Sequence, residues 1–169
     1  MQTPGSYQKC TGPRSQILDV GSGAGEFCIV GALSTEAQFI GVERRQALAE
    51  YSRSWVNQHG IPRVSIIEGD ACNLDWEPFD GIYLFNPFYE NVVNQDRFHT
   101  CVRRTQEKLR ELRQGTRVVT YHGFGGEPPH GYRLIRVERF REGSLQLWIK
   151  QVDQVTALIP PVVWQEADR

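Results

Sequence analysis

The run Gln16-Ile17-Leu18-Asp19-Val20-Gly21-Ser22-Gly23-Ala24-Gly25 constrains this chain more than any other. A short segment of branched apolar residues reads as a buried strand, and it ends in three glycines at alternate positions. Glycines placed this way let the chain turn sharply and let a ligand approach bare backbone. A helix follows through about Ala32, with its N-terminal amides toward that ligand. The dinucleotide fingerprint places its third glycine five residues after the first. Here Gly25 comes four residues after Gly21, and Glu26 holds the fifth place. Glu26 would repel a pyrophosphate, so the loop favours a ligand without phosphate.

The rest of the pattern repeats this unit. Strands are predicted at Ala37–Glu43, Arg63–Glu68, Asp80–Phe85 and Arg117–His122. Helices are predicted at Arg45–His59, closed by Gly60, and at Gln95–Arg113, with Phe98, Val102, Leu109 and Leu112 on one face. Asn86-Pro87 stops the fourth strand, because proline cannot donate to a ladder. Tyr132–Arg139 and Ser144–Val152 flank Arg141-Glu142-Gly143, which is hairpin chemistry. Strand–helix alternation four or five times implies an α/β fold: a doubly wound, mostly parallel seven-stranded sheet with an antiparallel C-terminal hairpin. At 169 residues this is one domain, divided into an arm (1–15), a ligand-binding core (16–122) and a hairpin with tail (123–169).

Three acidic residues fall in register at the carboxyl ends of adjacent strands: Asp19, Glu43 and Asp70. In such sheets that edge holds the ligand. A carboxylate after the second strand suits a ribose diol, which donates two hydrogen bonds. One after the third strand accepts from an exocyclic adenine amine, and one near the glycine loop suits an ammonium group. Together they describe adenine, a free ribose and a cationic amino-acid tail.

Four stretches carry a resemblance: Ile17–Gly25, Phe39-Ile40-Gly41-Val42-Glu43, Ile67-Glu68-Gly69-Asp70-Ala71 and Phe79–Phe88. In this order and at these distances the chain resembles the class I, Rossmann-like S-adenosyl-L-methionine-dependent methyltransferases over residues 16–122. The resemblance implies that Gly21, Ser22, Gly23 and Gly25 cradle the methionine portion, with Asp19 near its amino group. It implies Glu43 on the ribose hydroxyls, Asp70 on the adenine amine, the Ala71 amide on a ring nitrogen and Arg44 beside the adenosine, with Asn86 also reaching the cofactor. Asn86-Pro87-Phe88-Tyr89 is similar to the Asn-Pro-Pro-Tyr motif of relatives that methylate planar amines, adenine N6 and protein glutamine. It is also similar to the Asn-Asn-Phe turn of histone-lysine methyltransferases of this fold. On the first likeness, Asn86, Pro87 and Tyr89 would hold and stack an amine acceptor, while Phe88 replaces the second proline. The sulfonium methyl is already electrophilic, so alignment is most of the catalytic task. His122 is a candidate base. No metal is expected, because no His, Asp and Glu cluster has ligand spacing.

Departures from the family bear on the acceptor. Only about fifteen residues precede the first strand, and they are rich in Gly, Pro, Ser and Gln. The N-terminal lid is therefore expected to be reduced. Three explanations stay open: a chain begun too late, an open pocket, or cover by a partner chain or second copy. The segment Gly123–Pro129 is loop-like where relatives carry a helix. The acceptor is accordingly left as protein, nucleic acid or small molecule. Net charge is −1, yet residues 97–117 carry seven Arg/Lys against Glu107 and Glu111. A solvated helix face explains that run. Together with Arg133, Arg136, Arg139 and Arg141 it is also a candidate nucleic-acid stripe.

Cys10, Cys28, Cys72 and Cys101 form no two-residue-gap motif and read as reduced thiols. With no apolar run long enough to span a bilayer and no secretory leader, a cytoplasmic location is expected. The alternatives to a methyltransferase are a non-catalytic or partner-dependent S-adenosylmethionine-binding module and an NAD(P)-dependent oxidoreductase.

Overall fold

The computed structural model describes residues 15–91, 93–151 and 162–163. It is built around one sheet of β1 (Gln16–Val20), β2 (Gln38–Glu43), β3 (Val64–Glu68), β4 (Gly81–Phe85), β5 (Arg117–Tyr121), β6 (Tyr132–Phe140), β7 (Gly143–Lys150) and β8 (Val162–Val163). Their spatial order is β3-β2-β1-β4-β5-β7-β6-β8. β1 to β5 are mutually parallel, β7 runs antiparallel between β5 and β6, and β8 pairs in parallel with β6 at Arg136–Val137. The seven expected strands are present in the expected directions. The two-residue β8 has no counterpart in the sequence reading.

Among the described residues three α-helices connect the strands: α1 (Glu26–Ser34), α2 (Gln46–Gln58) and α3 (Gln95–Glu111). α2 turns Ala49, Ser52 and Val56 toward the sheet at steps of three and four residues. At its end, Gly60 adopts φ 59° and donates to the Asn57 carbonyl, while the Ile61 amide donates to Val56. This pair of bonds is a Schellman cap, and it accounts for a glycine at that position. α3 starts where the Asn94 side chain accepts from the Arg97 amide at 3.1 Å. Its last turn stops at Glu111, short of the expected Arg113, because Leu112 takes an extended conformation and turns into the core.

Strand–helix alternation is complete three times, not four or five. After β3 the chain makes only a 3₁₀ turn, Ala71–Asn73. The segment from there to β4 contains Pro78, which suits a loop better than a helix. Trp76 and Phe79 fill the space instead, and the Trp76 indole N–H donates to the Ala71 carbonyl at 2.8 Å. After β5 the link is a glycine- and proline-rich loop.

Two cores lie on opposite faces of the sheet. On one, Ile17, Phe39 and Ile66 pack with Cys28, Ala32 and Ala49 of α1 and α2. On the other, Leu18, Val20, Val42, Ile82, Leu84 and Val118 pack with Trp76, Phe79, Phe88, Leu109, Leu112 and Phe124. The alternation along β1 and β4 sends successive side chains to these two cores. Strand order reverses between β1 and β4, which places a crevice at their carboxyl ends.

Candidate functional site

The crevice is a cleft of about 450 Å³, within the roughly 300–1,000 Å³ usual for small-molecule sites. Its walls come from the turns after β1, β2, β3 and β4 and from Cys101 of α3. Of the sequence-predicted residues, Gly21, Glu43, Arg44, Asp70, Ala71, Asn86, Pro87 and Tyr89 line it. Val20, Val42, Arg45, Gly69, Phe85, Phe88, Asn91 and Cys101 join them.

The glycine turn is closed by its own bonds. The Gly21 and Ser22 amides donate to the Val42 carbonyl at 2.9 and 3.0 Å, and the Gly25 amide donates to Ser22 at 2.8 Å. Gly21 has φ 75°, and a Cβ there would sit 3.1 Å from Cβ of Pro87. The first and fourth turns therefore meet at a position only glycine fits. A Cβ on Gly25, at φ 82°, would run into Ser52 Oγ of α2. Ser22, Gly23 and Gly25 brace the turn and are not among the residues lining the cleft. Ser22 is buried, with its hydroxyl against Gly41 of β2.

Glu43 ends β2 with only 4% of its surface exposed. Its Oε2 accepts from the Gly23 amide at 2.8 Å, and its Oε1 accepts from the Arg45 amide at 2.8 Å and from Arg45 Nε at 2.9 Å. Burial pushes this carboxyl upward. The bonds from Arg45 and Gly23 and the guanidinium charge outweigh that effect and hold it below the usual carboxylate range. The Arg45 side chain on this carboxylate is 47% exposed, whereas the Glu43 side chain itself is buried.

Asp70 is both a cap and an ion-pair partner. Its Oδ1 accepts from the Cys72 amide at 2.9 Å, which starts the 3₁₀ turn, and its Oδ2 accepts from Arg104 Nη1 at 2.9 Å. Arg104 also donates to Asn73 Oδ1. Arg104 belongs to the basic run that composition assigned to a solvated face. The structure uses it, and likewise Arg113 on Asp80 at 2.6 Å, to tie α3 to the sheet. Deeper in the cleft, buried Asn91 accepts a long 3.5 Å contact from Arg44 and faces the Cys101 thiol. Asn91 and Cys101 lie in or beside segments with no motif, and only their convergence in space marks them.

Asn86 follows β4 with φ 41°, the left-handed region that asparagine tolerates better than most residues. Its amide donates to the Gly123 carbonyl at 3.1 Å, and its carbonyl accepts from Tyr89 at 3.2 Å. These bonds hold the turn against the mouth of the cleft. Tyr89 is 72% exposed there, whereas Phe88 is 8% exposed and anchored in the core. The residue that departs from the motif thus serves as the anchor of the turn.

Two more of the expected site residues lie outside the cleft lining. Asp19 does not line the cleft. The strand pleat sends its side chain under α1, where it is 3% exposed and accepts from Cys28 Sγ at 3.5 Å. Burial drives its pKa up to about 7, the Cys28 bond opposes this and the Glu43 charge adds to it. His122 does not line the cleft either. With φ 58° it turns out of β5, packs against Tyr121 at 4.3 Å between ring centroids, and lines a separate depression with Gly143 and Glu127. Among the described residues no His/Cys/Asp/Glu cluster could hold a metal ion, and no helix is long and apolar enough to cross a membrane.

A family profile described as a methyltransferase domain matches residues 12–124, more than half of the chain. The chain belongs to this methyltransferase family. Solved structures with the same fold include an RNA methyltransferase from Salinibacter ruber in complex with S-adenosyl-L-homocysteine. It is 20% identical, covering 86% of this chain and 87% of that one at a TM-score of 0.61. An rRNA methylase from Streptococcus thermophilus is 14% identical, covering 84% and 90% at 0.62. TrmN from Thermus thermophilus is 17% identical, covering 81% of this chain and 45% of that one at 0.65. No curated protein sequence matches the chain.

The cofactor of this methyltransferase fold is S-adenosyl-L-methionine, and the cleft fits it on two observations. A buried carboxylate, Glu43, lines the cleft wall, held by the Gly23 and Arg45 amides and by the partly exposed Arg45 side chain. At the narrow end, the wall at Gly21 is bare backbone that a Cβ would close.

Proposed function

We propose that this methyltransferase uses S-adenosyl-L-methionine to methylate a planar amine nitrogen. The observation that carries the reading is the Asn86–Tyr89 turn. A left-handed asparagine and a proline line the cleft beside the glycine turn, with an exposed tyrosine at its mouth.

In this reading Glu43 receives the ribose hydroxyls as Arg45 withdraws, and Asp70 with the Ala71 amide receives the adenine edge. Gly21 gives the methionine arm room. When bound, the cofactor supplies an electrophilic methyl on a sulfonium. The protein's part is to set the nucleophile in line with it. The Asn86 side-chain oxygen and the Pro87 carbonyl are hydrogen-bond acceptors. An amine that donates its hydrogens to them turns its lone pair toward the methyl. Tyr89 is suited to lie along the acceptor's plane. Asn86 and Pro87 would hold the nitrogen in line for the methyl that the cofactor would supply, and the nitrogen would give up a proton. No histidine lines the cleft. The proton therefore goes to solvent at the cleft mouth, and the product amine leaves uncharged. Two of the fold neighbours carry RNA or rRNA methylation in their names, which is in keeping with a nucleobase amine as acceptor.

Two experiments test this. Titration calorimetry with S-adenosylhomocysteine is expected to give one site. Incubation with methyl-labelled cofactor and a fractionated lysate is expected to place label on amine nitrogen. Label on carbon or oxygen alone would remove the amine assignment, and binding without any transfer would leave a cofactor-binding module.

A further inference from the structure

Beside the cleft, four rings form a continuous ledge on one face of the sheet. Phe85 of β4 lies 4.9 Å from Tyr121 and 5.7 Å from His122 between centroids, and Phe140 of β6 meets Tyr121 edge-on at 6.2 Å. Phe85 is 50% exposed and Phe140 46%. Soluble proteins seldom leave neighbouring aromatic rings this open without a partner for them. Phe85 also lines the cleft, so the ledge and the site share a wall.

The charge around the ledge departs from that of the whole chain. Residues 117–150 hold six Arg/Lys against three Glu, in a protein of net charge −1. Pairing with β7 sets Arg133 opposite Ile149, Arg136 opposite Leu147 and Phe140 opposite Gly143, while Tyr121 of β5 pairs with Leu145. The strand pleat, with a bulge before Arg136, therefore puts Arg133, Arg136, Glu138 and Phe140 on the face that carries Tyr121, and Arg139 on the other. Arg136 is bound to Glu138. Arg133, Arg139 and Arg141 are exposed and make no ion pair among the described residues. From Arg133 to Phe140 is seven residues, roughly 20 Å of strand.

We propose that this ledge docks single-stranded nucleic acid, with unpaired bases stacked on Phe140, Tyr121 and Phe85 and the backbone phosphates tracked by Arg133 and Arg141. Sequence-tolerant binding of unpaired strands rests on this pairing of aromatic faces with a basic track. The shared wall at Phe85 then carries the strand to the Asn86 turn, where one base would present its exocyclic amine. A second copy of the chain fits the surface poorly, because a two-fold contact would bring the same unpaired arginines together. The inference rests on the proposed amine-methylating cleft only for what happens after docking; the docking itself can be measured without turnover.

The test is fluorescence anisotropy with labelled RNA and DNA oligonucleotides of about ten nucleotides, single-stranded and as duplexes. The single strands are expected to bind about tenfold more tightly than duplexes, with affinity falling as salt rises. Arg133→Glu with Arg141→Glu is expected to weaken binding about tenfold, and Phe140→Ala roughly fivefold. Calorimetry with S-adenosylhomocysteine should be unchanged in both variants, which separates lost docking from lost folding. RNA and DNA binding alike supports stacking, and a strict preference for one identifies the natural strand. Equal affinity for duplex and single strand, or indifference to Phe140→Ala, overturns the ledge. So does a concentration-dependent dimer in sedimentation that Phe140→Asp dissociates. Absent oligonucleotide binding with intact S-adenosylhomocysteine binding removes this inference alone. Loss of both removes the methyltransferase reading as well.

Discussion

The two halves of the sheet's carboxyl edge are finished differently. In the β1–β3 half, the polar groups at the cleft are engaged by the chain itself. Glu43 is held by Gly23 and Arg45, Asp70 by Cys72 and Arg104, and the glycine turn by Val42. In the β4–β6 half, Phe85 and Phe140 stand half exposed, Arg133, Arg139 and Arg141 make no ion pair among the described residues, and two non-glycine residues, Asn86 and His122, sit at positive φ. On the proposed function, the first half would be preorganised for one ligand that recurs in every turnover. Its internal bonds keep buried charge satisfied until that ligand exchanges with them. On the proposed function, the second half would leave its surface open for an acceptor that must come and go. Strain and exposed apolar area gather where binding is transient.

The largest expected effect strikes the open half. Asn86→Ala should lower turnover by about 100-fold or more, because misplacing a nucleophile in line with its target is that costly. Its S-adenosylhomocysteine affinity should stay within about twofold, since the residue's part is to orient the acceptor. Single-turnover kinetics beside calorimetry would check the split, and full activity would make the turn merely structural.

Glu43→Ala probes the closed half. Losing hydrogen bonds to a charged acceptor should weaken S-adenosylhomocysteine about 10- to 100-fold. Arg45→Ala should leave that affinity unchanged or raise it, because it frees Glu43 for the diol. If Arg45→Ala weakened binding as much as Glu43→Ala, the guanidinium would be a ligand contact and the two halves would differ less than described.

The smallest effect concerns what lies under the closed half. Asp19 is held with its pKa raised to about 7, against 3.8 for the free side chain. Between those values folding takes up a proton, so this group's contribution to stability is complete below pH 3.8 and declines as pH rises through 7. Asp19→Asn keeps the neutral shape at every pH. Its thermal midpoint should exceed the wild type's at pH 8 by a few degrees, about 2–4 °C for each kcal/mol at this size, and match it near pH 4. A midpoint difference that does not change with pH would show Asp19 to be charged in its burial site.

How legible each part was follows from how local its cause is. The parallel core was readable because Ile17-Leu18-Asp19-Val20, Phe39–Glu43 and Ile82–Phe85 are strand-length apolar runs, each ended by a turn signal. The cleft's Gly21, Glu43, Asp70 and Asn86 were readable because each ends or closely follows one of the first four strands. Asp19 also sits near a strand end, but the pleat turns its side chain to the other face, which no local pattern records. Trp76 standing in for a helix, and Arg104 and Arg113 reaching Asp70 and Asp80, depend on elements distant in sequence.

By itself, then, the sequence determined the order of strands, the glycine turn, the acidic strand ends and the Asn86 turn, because each depends on the preferences of a few adjacent residues. The tertiary structure alone decided that Asn91 and Cys101 join the cleft and that Arg45 shields Glu43. It alone set Phe85, Tyr121, His122 and Phe140 side by side. Strand pairing brings together residues from separate strands, as Phe85 and Tyr121, and no local pattern records which arginines find a carboxylate and which remain open.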